Sequence, residues 1–130
     1  GKTATASRIY SADYGPANAV DGNPRTRWAG TLGATDAWLE VDLGQPTLIG
    51  RALISEVEWK ETREFVVEAR DGETWKELAR GTTIGNDHLL EFPAIRARIV
   101  RLRIVKCERG ANINEFQLFP PVNEKGSNGP

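Results

Sequence analysis

Trp38-Leu39-Glu40-Val41-Asp42-Leu43 alternates apolar and polar side chains one by one and stops at Gly44. A period of two is that of a strand with one face on a core and the other in water. The same pattern recurs on either side. Leu48 to Ser55 is a second apolar run. Glu64 to Arg70 alternates, with Phe65, Val67 and Ala69 on one side, and ends at the turn pair Asp71-Gly72. Trp75 to Leu78 closes at Gly81, and His88 to Phe92 stops at Pro93. Ile99 to Val105 is long and β-branched. Ile113 to Phe119 alternates up to Pro120-Pro121. That makes about eight strands separated by turns, the pattern of an antiparallel sandwich or barrel. No helical period of ten or more residues lies between them, which argues against a parallel α/β sheet.

The chain has 130 residues, the size of one domain, with 17 basic and 18 acidic side chains. The expected domain is 1–121, followed by a Gly- and Ser-containing tail or linker over 122–130. Gly1-Lys2 and that tail suggest a module cut from a longer protein. No basic run tracks a phosphate backbone, so nucleic acid is not an expected partner. Arg96, Arg98, Arg101 and Arg103 are interspersed with Ile99, Val100, Leu102 and Ile104 and read as the outer face of a strand. Cys107 is the sole cysteine, so no intrachain disulfide forms, and it reads as a small apolar residue. No apolar stretch approaches the length of a membrane span.

Tyr10 to Gly33 breaks the pattern. It is rich in Gly, Pro, Asn and Asp, and so long a loop in a small domain calls for an anchor. Within it runs Asn18-Ala19-Val20-Asp21-Gly22-Asn23-Pro24-Arg25-Thr26-Arg27-Trp28. Asp, Asn and Thr in a tight loop can wrap hard oxygens round calcium. The spacing is not that of an EF-hand. Composition alone favours a plain Asx turn without metal.

Ala19-Val20-Asp21-Gly22-Asn23-Pro24-x-Thr26-x-Trp28 resembles the opening signature of the discoidin superfamily, also called coagulation-factor-type C domains. Four more landmarks follow in order: Trp38 to Gly44, Phe65 to Glu68 with Trp75, Ala97 to Ile104, and Ile113 to Phe119. Within that superfamily the chain is most similar to family 32 carbohydrate-binding modules. Ala79 to Gly85 resembles modules attached to alpha-L-fucosidases. The resemblance implies an all-β, eight-stranded antiparallel jelly-roll β-sandwich clipped by a structural calcium. It also implies the ligands. Asn18 and Asn23 would offer carbonyls and Asp21 a carboxylate oxygen. Thr26 would offer hydroxyl and carbonyl, Asn114 a carbonyl and Glu115 a carboxylate. The ion would tie the last strand to the long loop, stabilising rather than catalysing.

Sugar sites pair an aromatic platform with polar side chains that read hydroxyls. Trp28, Trp38 and Trp75 sit on strand landmarks and are expected to pack. Trp59 lies in the charged connection Glu56-Val57-Glu58-Trp59-Lys60-Glu61-Thr62-Arg63, outside any core pattern, and is the candidate platform. Tyr14 and Tyr10 flank the first loop. Glu56, Glu58 and Arg63, with Glu108, Arg109 and Asn112, are the polar candidates, although Glu56 with Arg63 also reads as a cross-hairpin ion pair. Many galactose-binding relatives carry His just after the first-loop Trp, where this chain has Ala29-Gly30, so the resemblance supports a carbohydrate module more than it supports galactose; a galactose- or fucose-type sugar is favoured, with another sugar or none left open. His88 reads as structural.

A single His, with no nucleophile elbow, phosphate loop or zinc spacing, argues against an enzyme. The expected function is a non-catalytic module that holds an attached glycosidase domain on a glycan, without membrane insertion. Its expected setting is a secreted, cell-surface or periplasmic bacterial enzyme. A spacer that packs against its enzyme without binding sugar is the alternative.

Overall fold

In the computed structural model residues 3–33, 36–56 and 60–122 are described. Trp59, Glu58 and the expected tail beyond Val122 lie outside them. The alternating segment round Trp38 is one arm of a longer strand, β3 (Ala37–Ser55), which also takes in Leu48 to Ser55. Gly44 does not end it. There φ is +89°, a conformation that a side chain would strain, and Asp42 Oδ1 accepts the Gly44 N–H at 2.8 Å. Pairing with the partner strand slips between Asp42 and Thr47, so the chain bends and continues.

That partner, β6 (His88–Cys107), fuses the two expected strands 88–92 and 99–105 in the same way. Pro93 has no N–H to donate, and it falls where the β3–β6 register slips between Ile49 and Arg51. The two long strands therefore cross from one layer to the other together. One layer runs in the order β1 (Thr3–Ala6), β3, β6, β4 (Thr62–Asp71), β5 (Thr74–Gly81). It uses the first arm of β3 and the second arm of β6. The other layer pairs the remaining arms and adds β8 (Glu115–Phe119) against Arg51 to Ser55. All pairs are antiparallel, and β4–β5 is the hairpin expected at Asp71-Gly72. Among the described residues there are eight strands, the expected number, though divided differently.

Between the layers lies one core. Leu39, Val41, Ile54, Phe65, Val67, Val100, Leu102, Ile104 and Phe116 are buried in it. Even-numbered Val100, Leu102 and Ile104 face inward, while Arg101 and Arg103 face out, as the alternation predicts. Trp28 is fully buried, and its indole N–H donates to Arg8 O at 2.9 Å. Trp38 and Trp75 are half-buried instead. They lie against the Arg101 guanidinium, whose carbon is 4.6 and 4.1 Å from their ring centroids.

The expected last strand, Ile113 to Phe119, is two. β7 (Asn112–Ile113) pairs with β2 (Trp28–Ala29), and β8 joins β3; Asn114 is the break. Its side chain explains the break. The amide Nδ2 donates to Pro24 O and Thr26 O at 3.1 and 3.2 Å, and its backbone N–H donates to Ser55 O. The β2–β7 ladder and Asn114 thus pin the long first loop to the end of the sandwich.

Candidate functional site

That pinned end carries a depression of about 350 Å3. The first loop supplies Tyr10, Tyr14, Arg27, Ala29, Gly30 and Leu32; Glu61, Arg109 and Asn112 complete it. Two short 3-10 turns, Ala12–Tyr14 and Pro16–Ala19, shape the loop. Tyr10 N–H donates to Ala29 O at 2.7 Å and Gly30 N–H to Ala111 O at 3.0 Å, which hold the rim to the β2–β7 floor. Ala29 and Gly30 are small, and they leave the floor open.

The aromatic wall is Tyr10 with Tyr14, ring centroids 5.8 Å apart and planes at 56°. Tyr10 is 53 % exposed and Leu32 67 %, so apolar surface stands in water at this rim. The Arg27 guanidinium lies 4.5 Å over the Tyr14 ring, and its Nε donates to Asn112 Oδ1 at 3.1 Å. On the other side Glu61 holds Arg109. Its Oε1 accepts the Arg109 backbone N–H at 2.9 Å, and its Oε2 accepts Nε at 3.2 Å and Nη2 at 2.8 Å. Glu61 is buried while the Arg109 side chain is 65 % exposed. The carboxylate is consumed within the wall and the guanidinium faces solvent.

Of the expected ligand residues, the structure brings Tyr14, Arg109 and Asn112 together. Glu56 is not with them. It is 1 % exposed, and its Oε2 accepts Thr62 N–H at 3.1 Å and Thr62 Oγ1–H at 2.6 Å. Burial pushes its carboxyl above the ordinary value, against the pull of the Thr62 hydrogen bonds. Arg63 is also outside the depression. It donates to Glu108 Oε1 at 2.7 Å, so the cross-hairpin pair with Glu56 does not form. Glu58 and Trp59 lie outside the described residues. Sequence reasoning missed Arg27, Glu61 and the Ala29-Gly30 floor as site residues. Arg27 was legible as the residue between two landmark positions; nothing marked Glu61 over its acidic neighbours.

The other expected residues stand in structural positions. His88 Nδ1 is 3.2 Å from Ile84 O, and the ring meets Phe65 edge-on. Burial, then the Glu61 and Glu56 charges, push the Cys107 thiol up, which keeps it a poor nucleophile.

The expected calcium loop adjoins the depression. Thr26 Oγ1 lies 2.6 Å from Asp21 Oδ2, 3.1 Å from Asn23 O and 3.3 Å from Asn18 O. A hydroxyl has one hydrogen, so it serves one of these three acceptors, and Asn23 O also accepts the Thr26 backbone N–H at 3.2 Å. The cluster of a carboxylate, two carbonyls and a hydroxyl suits a hard cation. Gly22, at φ +75°, makes the turn between Asp21 and Asn23. Asn23 Oδ1 is turned back to the Arg25 N–H at 2.9 Å, which leaves its main-chain carbonyl facing Thr26. Asn18 Nδ2 donates to Asp13 O and Arg27 O, tying the loop to the pocket wall. Glu115, next to Asn114, is 7 % exposed, with Oε1 accepting from Gln117 Nε2. Among the described residues no three His, Cys, Asp or Glu side chains gather, so carbonyl and hydroxyl oxygens dominate this set.

The chain matches a known family. The F5/8 type C domain profile covers residues 3–117, and the chain belongs to that family. It is similar to chitosan-binding module 1 of a chitosanase/glucanase from Paenibacillus sp. IK-5. Identity is 28 %, the TM-score 0.83, and the match covers 91 % of this chain and 94 % of that one. Module 2 of the same enzyme, solved with chitotriose, is 27 % identical, with TM-score 0.83 over 91 % and 95 % of the two chains. A Ruminococcus gnavus GH29 fucosidase in complex with fucose is 26 % identical, with TM-score 0.82; the match covers 93 % of this chain and 25 % of that one. Among curated proteins the chain is 27 % identical to "Putative alpha-L-fucosidase 1" of Oryza sativa subsp. japonica. That match spans 90 % of this chain and 24 % of the rice protein.

Proposed function

We propose that this domain is a non-catalytic sugar-binding accessory module of a glycoside hydrolase, and that the Tyr10–Tyr14 depression is its binding site. The observation that carries the reading is the composition of that depression. Two tyrosine rings offer a face for sugar C–H groups, and Arg27, Arg109 and Asn112 offer planar polar groups beside them. Similarity to two chitosan-binding modules and to a domain-sized part of fucosidases supports both the ligand class and the attachment. A galactose- or fucose-type sugar is the favoured ligand, and a secreted enzyme the favoured setting. Among the described residues no helix is long and apolar enough to cross a membrane. The site is open, so the affinity belongs near 0.1–1 mM, about 4–5.5 kcal/mol.

The module is held by a calcium ion at Asn18, Asp21, Asn23, Thr26, Asn114 and Glu115. What supports this is the gathering of the Asp21 carboxylate and the Asn18 and Asn23 carbonyls round Thr26 Oγ1. A glycan array of the labelled domain tests the function, followed by titration of hits with Tyr14→Ala and Asn112→Ala. Hits whose affinity falls at least fivefold in both variants support it. A folded domain that binds no glycan favours the spacer, and hits indifferent to both substitutions refute this site.

A further inference from the structure

The depression spends most of its polar groups on itself. Glu61 is nearly buried, and both its oxygens accept from Arg109. Arg109 also meets the Glu108 charge, and neither it nor Arg27 is free of partners. Arg27 Nε donates to Asn112 Oδ1, and Asn112 Nδ2 donates to Gly110 O at 3.3 Å. The Arg27 guanidinium also covers one face of the Tyr14 ring. The polar groups left for a ligand are few, chiefly the Tyr10 and Tyr14 hydroxyls and the second Asn112 N–H. A hexose brings more hydroxyls than that, and one that leaves water without finding a partner is penalised.

The apolar lining is laid out beside these groups. Ala29 stands opposite Asn112 in the β2–β7 ladder, so a methyl lies next to an amide on the floor. Tyr10 runs along the other edge of β2, held by its N–H to Ala29 O. Its ring is 53 % exposed, while Tyr14 is half-buried. Leu32, 67 % exposed, stands at the rim two residues past Gly30. A ligand that suits this lining has an apolar knob on one edge and hydroxyls on the other. In a hexose, loss of the hydroxyl at carbon 6 makes such a knob, because it leaves a methyl outside the ring.

We infer that this pocket discriminates at carbon 6 of a sugar and takes 6-deoxy sugars in preference to their 6-hydroxy counterparts. The inference rests on the sugar-binding reading and deepens it. The methyl meets Ala29, Tyr10 and Leu32, where a hydroxymethyl group would compete with the ring hydroxyls for the few polar groups left. An acetamido group supplies a methyl too, but it brings an N–H and a carbonyl that need partners of their own.

Matched pairs isolate that position: L-fucose with L-galactose, D-fucose with D-galactose, and L-rhamnose with L-mannose differ only in the 6-hydroxyl. The 15N-labelled domain is titrated with each sugar, and with tri-N-acetylchitotriose alongside. In the pair that binds, the 6-deoxy sugar is expected to bind about fivefold more tightly, the effect of one hydroxyl left short of a partner. Leu32→Asn puts an amide at the rim and Ala29→Ser a hydroxyl on the floor. Either gives the 6-hydroxyl a partner, so the ratio should fall toward one. Leu32 is exposed, so its variant reads the ratio even where the buried Ala29→Ser does not fold. A 6-hydroxy sugar that binds as tightly as its 6-deoxy partner overturns the inference while leaving sugar binding intact. An unchanged ratio in the folded variants overturns it too. Binding confined to tri-N-acetylchitotriose, or to array glycans without a 6-deoxy sugar, overturns the inference and leaves the sugar-binding reading standing. Silence toward all of these sugars and toward the array overturns both.

Discussion

Replacing Glu61 by Gln probes the clamp that builds one wall of the site. The side chain keeps its shape but trades an acceptor oxygen for an NH2 group. In the native wall both carboxylate oxygens face donors: Arg109 N–H on one, Nε and Nη2 on the other. Whichever way the amide turns, its NH2 opposes an N–H donor at a nearly buried position. Leaving such a donor unsatisfied costs about 1–3 kcal/mol. The guanidinium half of the pair is mostly in water, so its loss adds little. Removing a buried negative charge offsets part of this. The net expectation is about 2 kcal/mol of lost stability, which for a chain of this size lowers the melting temperature by about 6–8 °C. Differential scanning fluorimetry reads that shift, and titration with a sugar identified on the array reads the wall. With Arg109 released, affinity should drop several-fold. A melting temperature within about 1 °C of the native domain, with unchanged affinity, would refute the clamp.

Other perturbations test separate parts of the molecule. Arg101→Met removes a guanidinium that stacks on Trp38 and Trp75 and pairs with Glu40. Two partly desolvated cation–π contacts and the pair together predict about 2–3 kcal/mol lost in urea unfolding, and a loss below 0.5 kcal/mol would count against the stack. The Glu56 carboxyl has a folded pKa raised above 4.5, so its contribution to stability is full below that value and is lost as pH rises through the folded pKa. Melting curves of Glu56→Gln should therefore gain on the native domain across that window and run parallel above it; parallel curves at every pH would contradict the burial effect. Chelation should lower the melting temperature of the native domain and change that of Thr26→Val, already short of a ligand, far less. An equal drop in both would dismiss Thr26 as a ligand.

The strand faces were readable because alternation records burial directly. Leu39 and Val41, or Leu102 and Ile104, turn inward as their period demands. Strand ends were less readable. Gly44 and Pro93 look like stops, but in a long strand both mark a bend, and only the paired register distinguishes the two. Asn114 hid a break inside an alternating run because its reason lies some ninety residues away, at the Pro24 and Thr26 carbonyls. The site shows the same divide. Tyr14, Arg109 and Asn112 were found by type and loop position. Glu56 and Glu61 look alike in a run of charged residues, yet one accepts from Thr62 and the other from Arg109. Which acid meets which donor is decided by the loop's path, and no local pattern carries it.

Thr26, Arg27 and Trp28 show how tightly the parts are joined. Thr26 faces the oxygens of the expected cation loop, Arg27 lies over Tyr14 in the depression, and Trp28 fills the core. Three consecutive side chains on one short stretch of backbone cannot shift independently. A cation that fixes Thr26 therefore also fixes the backbone from which Arg27 reaches Asn112, and Asn18 reinforces the link through its bond to Arg27 O. An ion with no contact to the sugar would then stiffen the sugar's wall and reduce the ordering cost of binding. The coupling is reciprocal, so a bound sugar should tighten the ion by the same factor that the ion tightens the sugar. Calcium titrations with and without saturating sugar measure that factor. A factor of one would mean that the loop and the pocket share a segment without sharing free energy.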